Sequence, residues 1–183
     1  MPGFTPNLSL TYPTIDDVID AAAWQTLSNQ IDAQLSVTDL LRQQTLHRPT
    51  VNCTGFTAGV APATTTNINF NTSIWTIPST FHSTSVNNDQ FLVPSSGLYF
   101  VTGDVSANSG TTETRLVGGV SLNGTVYFQA SNAGNTLVVS ISCNPKGLIA
   151  CNAGDIIRVF GNWAGTGTAT LGADVQIFKL ANL

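Results

Sequence analysis

The residues that could carry chemistry are few and widely spaced. The chain has two histidines, His47 and His82, and three cysteines, Cys53, Cys143 and Cys151. It contains no C-x-x-C pair, and the cysteine spacing does not match a zinc site. We interpret the cysteines as buried free thiols, with a Cys143–Cys151 disulfide as the alternative. We expect His82 to lie in a polar loop and His47 to lie at a helix end, where a cation is stabilising.

The carboxylates and glycines also form no recognisable catalytic pattern. Glycoside hydrolysis needs two acids about 5–10 Å apart, and nothing in the sequence pairs the acids after residue 49, which are Asp89, Asp104, Glu113, Asp155 and Asp174. Arg115 and Arg158 are each expected to form an ion pair with one of these acids. No G-x-S-x-G elbow and no phosphate-binding loop is present. We therefore expect no catalytic residues, no metal ligands and no cofactor.

The three tryptophans are the remaining residues that could bind a ligand. Trp24 lies within a predicted helix, and Trp75 and Trp163 lie at the ends of predicted strands. We expect each of them to pack in a core or a subunit interface. A sugar-binding platform made of exposed aromatic rings is the alternative.

The composition excludes several classes of partner. Charged residues make up 9% of the chain and the net charge is −4, with only six Lys plus Arg. No basic stripe is available to bind nucleic acid or an anionic membrane surface. No run of about 18 apolar residues predicts a membrane span, and residues 1–10 do not resemble a secretory signal. We expect a protein that is made in the cytoplasm.

The chain divides at about residue 48. Residues 1–12 are an extended lead, and residues 13–48 contain half of all acidic residues and have a helical period. Ser36-Val37-Thr38-Asp39 is a second helix-start signal, so the helix is expected to break there. One face of the helix is apolar and is the predicted anchor to a larger particle: Ile15, Val18, Ala22, Trp24, Leu27 and Ile31. An isolated helix does not bury such a face, so three partners remain open, namely a trimeric stalk, another protein or the chain's own β domain.

Residues 49–183 predict an antiparallel β domain. Ile68 to Ile74 alternates apolar and polar residues, and Asn123-Gly124 between two apolar runs is a strong hairpin signal. About eight short strands with frequent turn residues are typical of a jelly-roll sandwich. The predicted fold is therefore mainly β, with an N-terminal helical anchor.

Three motifs in this region resemble C1q/TNF-like jelly rolls. Pro94-Ser95-Ser96-Gly97-Leu98-Tyr99-Phe100 resembles the family's P-x-x-G-x-Y-x-F strand start, in which we expect Gly97 to occupy a turn with positive φ. Leu122-Asn123-Gly124 resembles its hairpin, and Ala153 to Val159 resembles its G-D strand. The segment Ala173 to Leu180 is placed as the last strand, near a three-fold axis. The resemblance implies a homotrimer, whose predicted interface is Gly118, Gly119, Val120, Leu122, Ile177 and Phe178.

The N-terminal region resembles a different group of proteins. Tyr12-Pro13-Thr14-Ile15-Asp16-Asp17 and the helix after it resemble the N-terminal segments of bacteriophage minor tail and fibre proteins, in particular those of actinobacterial phages. This resemblance implies a structural virion protein, with a trimeric knob on the tail or capsid that is joined to other virion proteins through residues 1–48. Host contact is expected through loops 79–90 and 106–113. The alternative is a carbohydrate-binding module that recognises a host-surface glycan.

Overall fold

The computed structural model describes residues 3–4, 11–12, 25–26, 28–35, 48–109, 112–133 and 140–183. The chain divides into two compact units, Met1–His47 and Arg48–Leu183. In the first unit, strands β1 (Gly3–Phe4) and β2 (Thr11–Tyr12) pair antiparallel, and residues 25–26 and 28–35 are helical. The predicted helix start near Thr14 and the second helix after Ser36 lie outside the described residues. Within the described part of the chain, no helix is long and apolar enough to cross a membrane.

The second unit is built from strands β3 to β13. The first six are β3 (Thr50–Val60), β4 (Thr66–Asn67), β5 (Thr72–Ile77), β6 (Phe91–Leu92), β7 (Gly97–Asn108) and β8 (Glu113–Leu122). The last five are β9 (Thr125–Ala133), β10 (Ser140–Cys143), β11 (Lys146–Cys151), β12 (Ile156–Gly165) and β13 (Ala169–Ala181). A short 3₁₀ helix, Ser79–Phe81, follows β5.

Two antiparallel sheets pack face to face, which confirms the predicted mainly β sandwich. In sheet I the strand order is β10, β7, β13, β3 and β5, and β11 also pairs with β7. In sheet II the order is β4, β12, β8 and β9, and β6 also pairs with β12. The inner face of each sheet packs against the other sheet, and we call the opposite face of each sheet its outward face.

Strict alternation along the long strands builds the core between the sheets. Every second residue of β7 from Gly97 to Ala107 is buried, and so is every second residue of β13 from Ala169 to Lys179. The inward side chains form one continuous cluster. Its largest fully buried members are Ile68, Phe70, Phe81, Phe91, Tyr99, Leu116, Ile149, Ile157, Trp163, Leu171 and Ile177.

The predicted hairpin at Asn123-Gly124 is confirmed. Both residues have positive φ, +51° and +84°, and they connect β8 to β9. That conformation suits asparagine and glycine, because a two-residue hairpin of type I′ needs positive φ at both central positions. The Asn123 side chain also bonds Asp155 and the backbone of Ile156, which ties the turn to the start of β12.

The predicted continuous strand from Ile68 to Ile74 is wrong, and its predicted burial holds only for Ile68 and Phe70, since Thr72 and Ile74 are exposed. Ile68 and Phe70 are fully buried, but residues 68–71 belong to no strand. This segment crosses from β4 in sheet II to β5 in sheet I. Its backbone N–H groups therefore bond different partners, Ile68 to the carbonyl of Val159 and Phe70 to that of Asn88.

His82 is not a solvent-exposed loop residue, as the sequence suggests, but a buried one. Its Nδ1 lies 3.0 Å from the Gln90 carbonyl oxygen and its Nε2 lies 3.1 Å from the Phe70 carbonyl oxygen. The ring packs against Phe91, with 4.8 Å between ring centroids. The polar composition of the loop hid this role, because the two bonds run to backbone groups that no side-chain pattern reveals.

The predictions for the cysteines and for Arg158 are confirmed, whereas the prediction for Arg115 is not. All three cysteines are buried free thiols, as expected, and burial raises the pKa of the Cys151 thiol to about 11. Arg158 forms the predicted ion pair, with Nε 3.0 Å from the Asp89 carboxylate. The prediction for Arg115 is wrong. Its side chain is exposed and has no ion pair among the described residues, because it lies on the outward face of β8.

Gly97 is required for a reason other than the predicted turn geometry. It is the first residue of β7 and does not have positive φ. A Cβ atom at this position would lie 2.2 Å from Lys179 Cε and 2.5 Å from the Ala181 carbonyl oxygen. The Lys179 side chain passes under Gly97 to place its Nζ 2.9 Å from Ser95 Oγ, and burial lowers the pKa of its ammonium group.

We expect Gly97→Val to destabilise the β domain by several kcal/mol, since overpacking costs about 1–3 kcal/mol and a displaced buried ammonium adds to it. Chemical denaturation monitored by circular dichroism measures the change. Thr102→Val, at an outward position of the same strand, is the matched control and should stay within about 1 kcal/mol of wild type. Equal stability of the Gly97→Val protein and wild type would contradict the close packing of Lys179.

Glu113 is the acid with the most unusual environment. It is completely buried at the start of β8. Desolvation raises the pKa of its carboxyl group, and a smaller influence of Ser109 and of the backbone of Ile141 acts in the opposite direction. The folded state therefore holds this proton more tightly than the unfolded state does.

Stability should consequently fall as the pH rises from about 4.5, the ordinary pKa of a glutamate, toward the raised pKa of folded Glu113. The maximum slope is about 1.4 kcal/mol per pH unit for one proton. Glu113→Gln removes the titrating group and should lose this part of the pH dependence. Denaturation curves of both proteins between pH 4.5 and 8 test it, and parallel pH profiles would contradict it.

Candidate functional site

The outward face of sheet I carries an apolar row that crosses five strands. Directly opposed residues place Leu148 of β11 beside Phe100 of β7, Phe100 beside Phe178 of β13, and Phe178 beside Thr50 of β3. Thr50 in turn opposes Ile77 of β5. Five strands at about 4.8 Å spacing make this row about 19 Å wide.

The row has two aromatic residues at its centre and exposed aliphatic residues at its two ends. The rings of Phe100 and Phe178 lie 5.3 Å apart, and both side chains are half-buried. Leu148 is 51% exposed and Ile77 is 40% exposed. Leu98, Leu180 and Trp75 extend the row, and we call these seven residues the apolar patch: Leu148, Phe100, Phe178, Ile77, Leu98, Leu180 and Trp75.

The apolar patch lies at the end of the sheet where residue 48 joins the β domain. The guanidinium of Arg48 donates to the Leu180 carbonyl oxygen at 2.9 Å. The backbone N–H of Lys179 donates to the Pro49 carbonyl oxygen at 2.9 Å. These two bonds fix the point at which the chain enters the domain, beside the exposed side chain of Leu180.

Most of the sequence-predicted interface does not lie on an exposed surface. Val120 and Ile177 point between the sheets and belong to the core, and Leu122 packs against it. Gly118 faces Val105 and Cys143 inside the sandwich, and Gly119 lies under the ring of Phe160.

Phe178 is the one member of that set in the apolar patch. It neighbours Ile177 in β13 and therefore points to the opposite face of the sheet. The sequence-based selection took consecutive apolar residues of the last strand together, although alternate residues face opposite ways. Phe100 and Leu148 were not in that set, because they lie beside Phe178 only through the pairing of distant strands, which no local pattern reveals.

The predicted anchor falls largely outside the described residues. This holds for Ile15, Val18, Ala22, Trp24 and Leu27. The remaining member, Ile31, lies in the helical residues 28–35, and its side chain is exposed, as is that of Leu35. The helix therefore presents apolar side chains in its described part.

The two tryptophans of the β domain separate clearly. Trp163 is fully buried, and its indole N–H donates to the Val60 carbonyl oxygen at 3.2 Å. Trp75 is 47% exposed on the apolar patch. A sugar-binding platform can therefore include Trp75 but not Trp163.

The apolar patch is suited to association with another apolar surface rather than to catalysis. It contains no titratable side chain, and an exposed apolar surface of this kind typically marks a site of association. In the part of the chain that the structure describes, no three His, Cys, Asp or Glu side chains cluster as a metal site.

Comparison with solved structures shows a C1q/TNF-like jelly roll. The globular domain of zebrafish complement 1qA matches with a TM-score of 0.56 and 13% identity, covering 74% of this chain and 99% of that one. Murine APRIL at pH 5.0 matches with a TM-score of 0.56 and 17% identity, over 73% of this chain and 99% of that one. No protein-family model and no curated protein matches the sequence. The expected fold is thus confirmed.

Proposed function

We propose that this protein is a structural protein of a bacteriophage virion. The β domain, residues 49–183, is a homotrimeric surface knob on the tail or capsid. Residues 1–48 are the anchor that binds other virion proteins, and the knob displays to the host surface the exposed parts of segment 79–90 and the loop between β7 and β8. No catalysis is involved. The protein is made in the bacterial cytoplasm and acts on the virion surface.

The apolar patch is the observation that carries the trimeric part of this proposal. Burying a side chain the size of Leu or Phe stabilises an association by about 1.5–3 kcal/mol. Three copies that share this face therefore gain a large gross stabilisation, which exceeds the cost of association if the rings pack closely. This surface replaces the sequence-predicted interface set as the proposed contact between copies.

The position of residue 48 connects the knob to the anchor. Because Arg48 is held beside Leu180, copies that meet through the apolar patch bring their N-terminal segments out near one another. Of the three partners considered, a trimeric stalk of such helices would cover the exposed side chains of Ile31 and Leu35. The virion assignment is supported by the resemblance of residues 12–17 and by the charge-poor composition.

We expect Phe178→Asp to convert the trimer to a monomer. The substitution removes a large apolar contact and leaves an unpaired charge in the interface, which costs several kcal/mol per copy. Size-exclusion chromatography with light scattering should show a mass that falls from three times the 19.2 kDa of one chain to a single copy.

Tyr127→Asp is the matched control, because Tyr127 is an exposed aromatic residue on β9 of sheet II. It should leave the trimer intact. Circular dichroism must show that both variants remain folded. A trimeric Phe178→Asp protein would exclude the apolar patch as the interface and leave the fold unaffected.

Deletion of residues 1–47 should give a folded knob that no longer joins virus particles. The shortened protein keeps Arg48 and its bond to Leu180, together with the complete core of the β domain. Circular dichroism tests folding, and complementation of a phage lacking the protein tests incorporation. Incorporation of the shortened protein at full occupancy would place the anchor in the β domain instead.

The second candidate function is carbohydrate recognition of the host envelope, and exposed Trp75 favours it. Aromatic side chains with one open face can stack on sugar rings. A trimer formed through the apolar patch would cover Trp75, so glycan-array binding by a monomeric protein that is lost with Trp75→Ala would support this function. Binding that is unchanged by the substitution would exclude Trp75 as a sugar-binding residue and leave the structural role as the only candidate function.

A further inference from the structure

A cleft of about 300 Å³ opens on the outward face of sheet I, outside the apolar patch. It lies about 13 Å from Phe178, since Asp174 is four residues away along β13. Strands β3, β7 and β13 supply most of its walls, and residues 71–72 close one side. This size is at the lower end of ordinary ligand pockets.

The floor of the cleft is a glycine in the middle of a strand. Gly172 occupies an outward-facing position of β13, directly opposite Phe56. Glycine weakens a strand interior by about 0.5–1 kcal/mol and often marks the close approach of a ligand. A Cβ atom here would meet Ser106 Oγ at 3.0 Å and fill the floor. Gly55, by contrast, has a packing reason, because its Cβ would clash with the backbone of Asn69.

Two carboxylates form the charged wall. Asp104 of β7 and Asp174 of β13 are directly opposed in the sheet, an arrangement that is destabilising for like charges. Among the described residues, neither has a hydrogen bond or an ion pair, and both are exposed. The nearest cation by strand register is Lys146, which opposes Thr102, two residues along β7 from Asp104, and it forms no ion pair with either carboxylate. Arg158 pairs with Asp89, and Lys179 is buried against Ser95.

The opposite wall is aromatic. Phe56 is 56% exposed beside the glycine floor, and hydroxyl groups of Thr54, Thr72 and Ser106 complete the lining. A guanidinium group suits this combination, because it stacks on aromatic rings, bonds carboxylates in pairs and donates its remaining N–H groups to hydroxyls. A bare metal ion makes no use of the ring, and a neutral apolar ligand leaves both carboxylates without a partner.

We propose that the cleft formed by Phe56, Asp104, Gly172 and Asp174 binds an organic cation, with a guanidinium group as the best fit. The cation can be carried by a free small molecule or by an arginine side chain of another polypeptide. The two sources present the same chemistry to the cleft. Every lining residue belongs to a single copy of the chain, so the proposal does not rest on trimer formation.

Saturation-transfer NMR and calorimetry on the full-length protein test the proposal at low salt. Arginine amide should bind, whereas citrulline amide, its neutral isostere, should not. Asp104→Asn and Asp174→Asn should each weaken binding about tenfold, which corresponds to about 1.4 kcal/mol per lost charged hydrogen bond. Phe56→Leu should weaken it several-fold by removing the cation–π contact.

Asp32→Asn is the matched control, because it changes the net charge equally at an exposed helical residue outside the β domain. It should leave binding unchanged. Equal binding of arginine amide and citrulline amide, or wild-type affinity in both cleft variants, would overturn the proposal. Binding of calcium chloride that excludes arginine amide would also overturn it, in favour of a metal site.

Two further probes identify the source of the cation. Agmatine represents a free guanidinium compound, and a short peptide with one central arginine represents a polypeptide partner. Tighter binding of the peptide supports a partner chain, and equal binding supports a small molecule. If neither probe binds at millimolar concentration, the proposal is wrong, whatever the oligomeric state of the protein.

Discussion

The two-residue alternation along β13 is the constraint on which the rest of the structure depends. This strand pairs with β7 on one side and β3 on the other, in the middle of sheet I. Its inward residues, such as Leu171, Val175 and Ile177, complete the core. Because alternate residues point to opposite faces, the residues between them lie on the outward face. Phe178 therefore lies in the apolar patch, and Gly172 and Asp174 line the cleft. Core, apolar patch and cleft are thus set by one strand.

The small number of charged residues accounts for two features of the outward face of sheet I. Arg158, Lys179 and Arg48 each have a specific partner inside the domain, whereas Arg115 and Lys146 form no ion pair among the described residues. The opposed acids Asp104 and Asp174 therefore stand out, since no basic side chain among the described residues forms an ion pair with either of them. The same scarcity leaves few long charged side chains to cover the leucines and phenylalanines of the apolar patch. The low charge of the domain thus contributes to both surfaces.

The fold was largely predictable from sequence, because the signals that specify it are local. Alternation along β7 and β13 and the turn residues Asn123-Gly124 gave the strands and a hairpin correctly. The interface set was not predictable to the same degree, since it depends on which face of a strand lies inward. That property follows from pairing between distant segments. The same limit applies to His82, whose partners are backbone carbonyls of two separate segments, and to Gly97, whose neighbour Lys179 is far away in the chain.

The central claim is that the apolar patch of sheet I is an assembly surface in a trimeric knob. Sedimentation equilibrium of the wild-type protein at micromolar concentration tests it most directly, because it gives the mass without any reference to shape. The account predicts a single species with three times the 19.2 kDa mass of one chain. A stable monomer at that concentration would contradict it, since the apolar patch would then remain exposed to water.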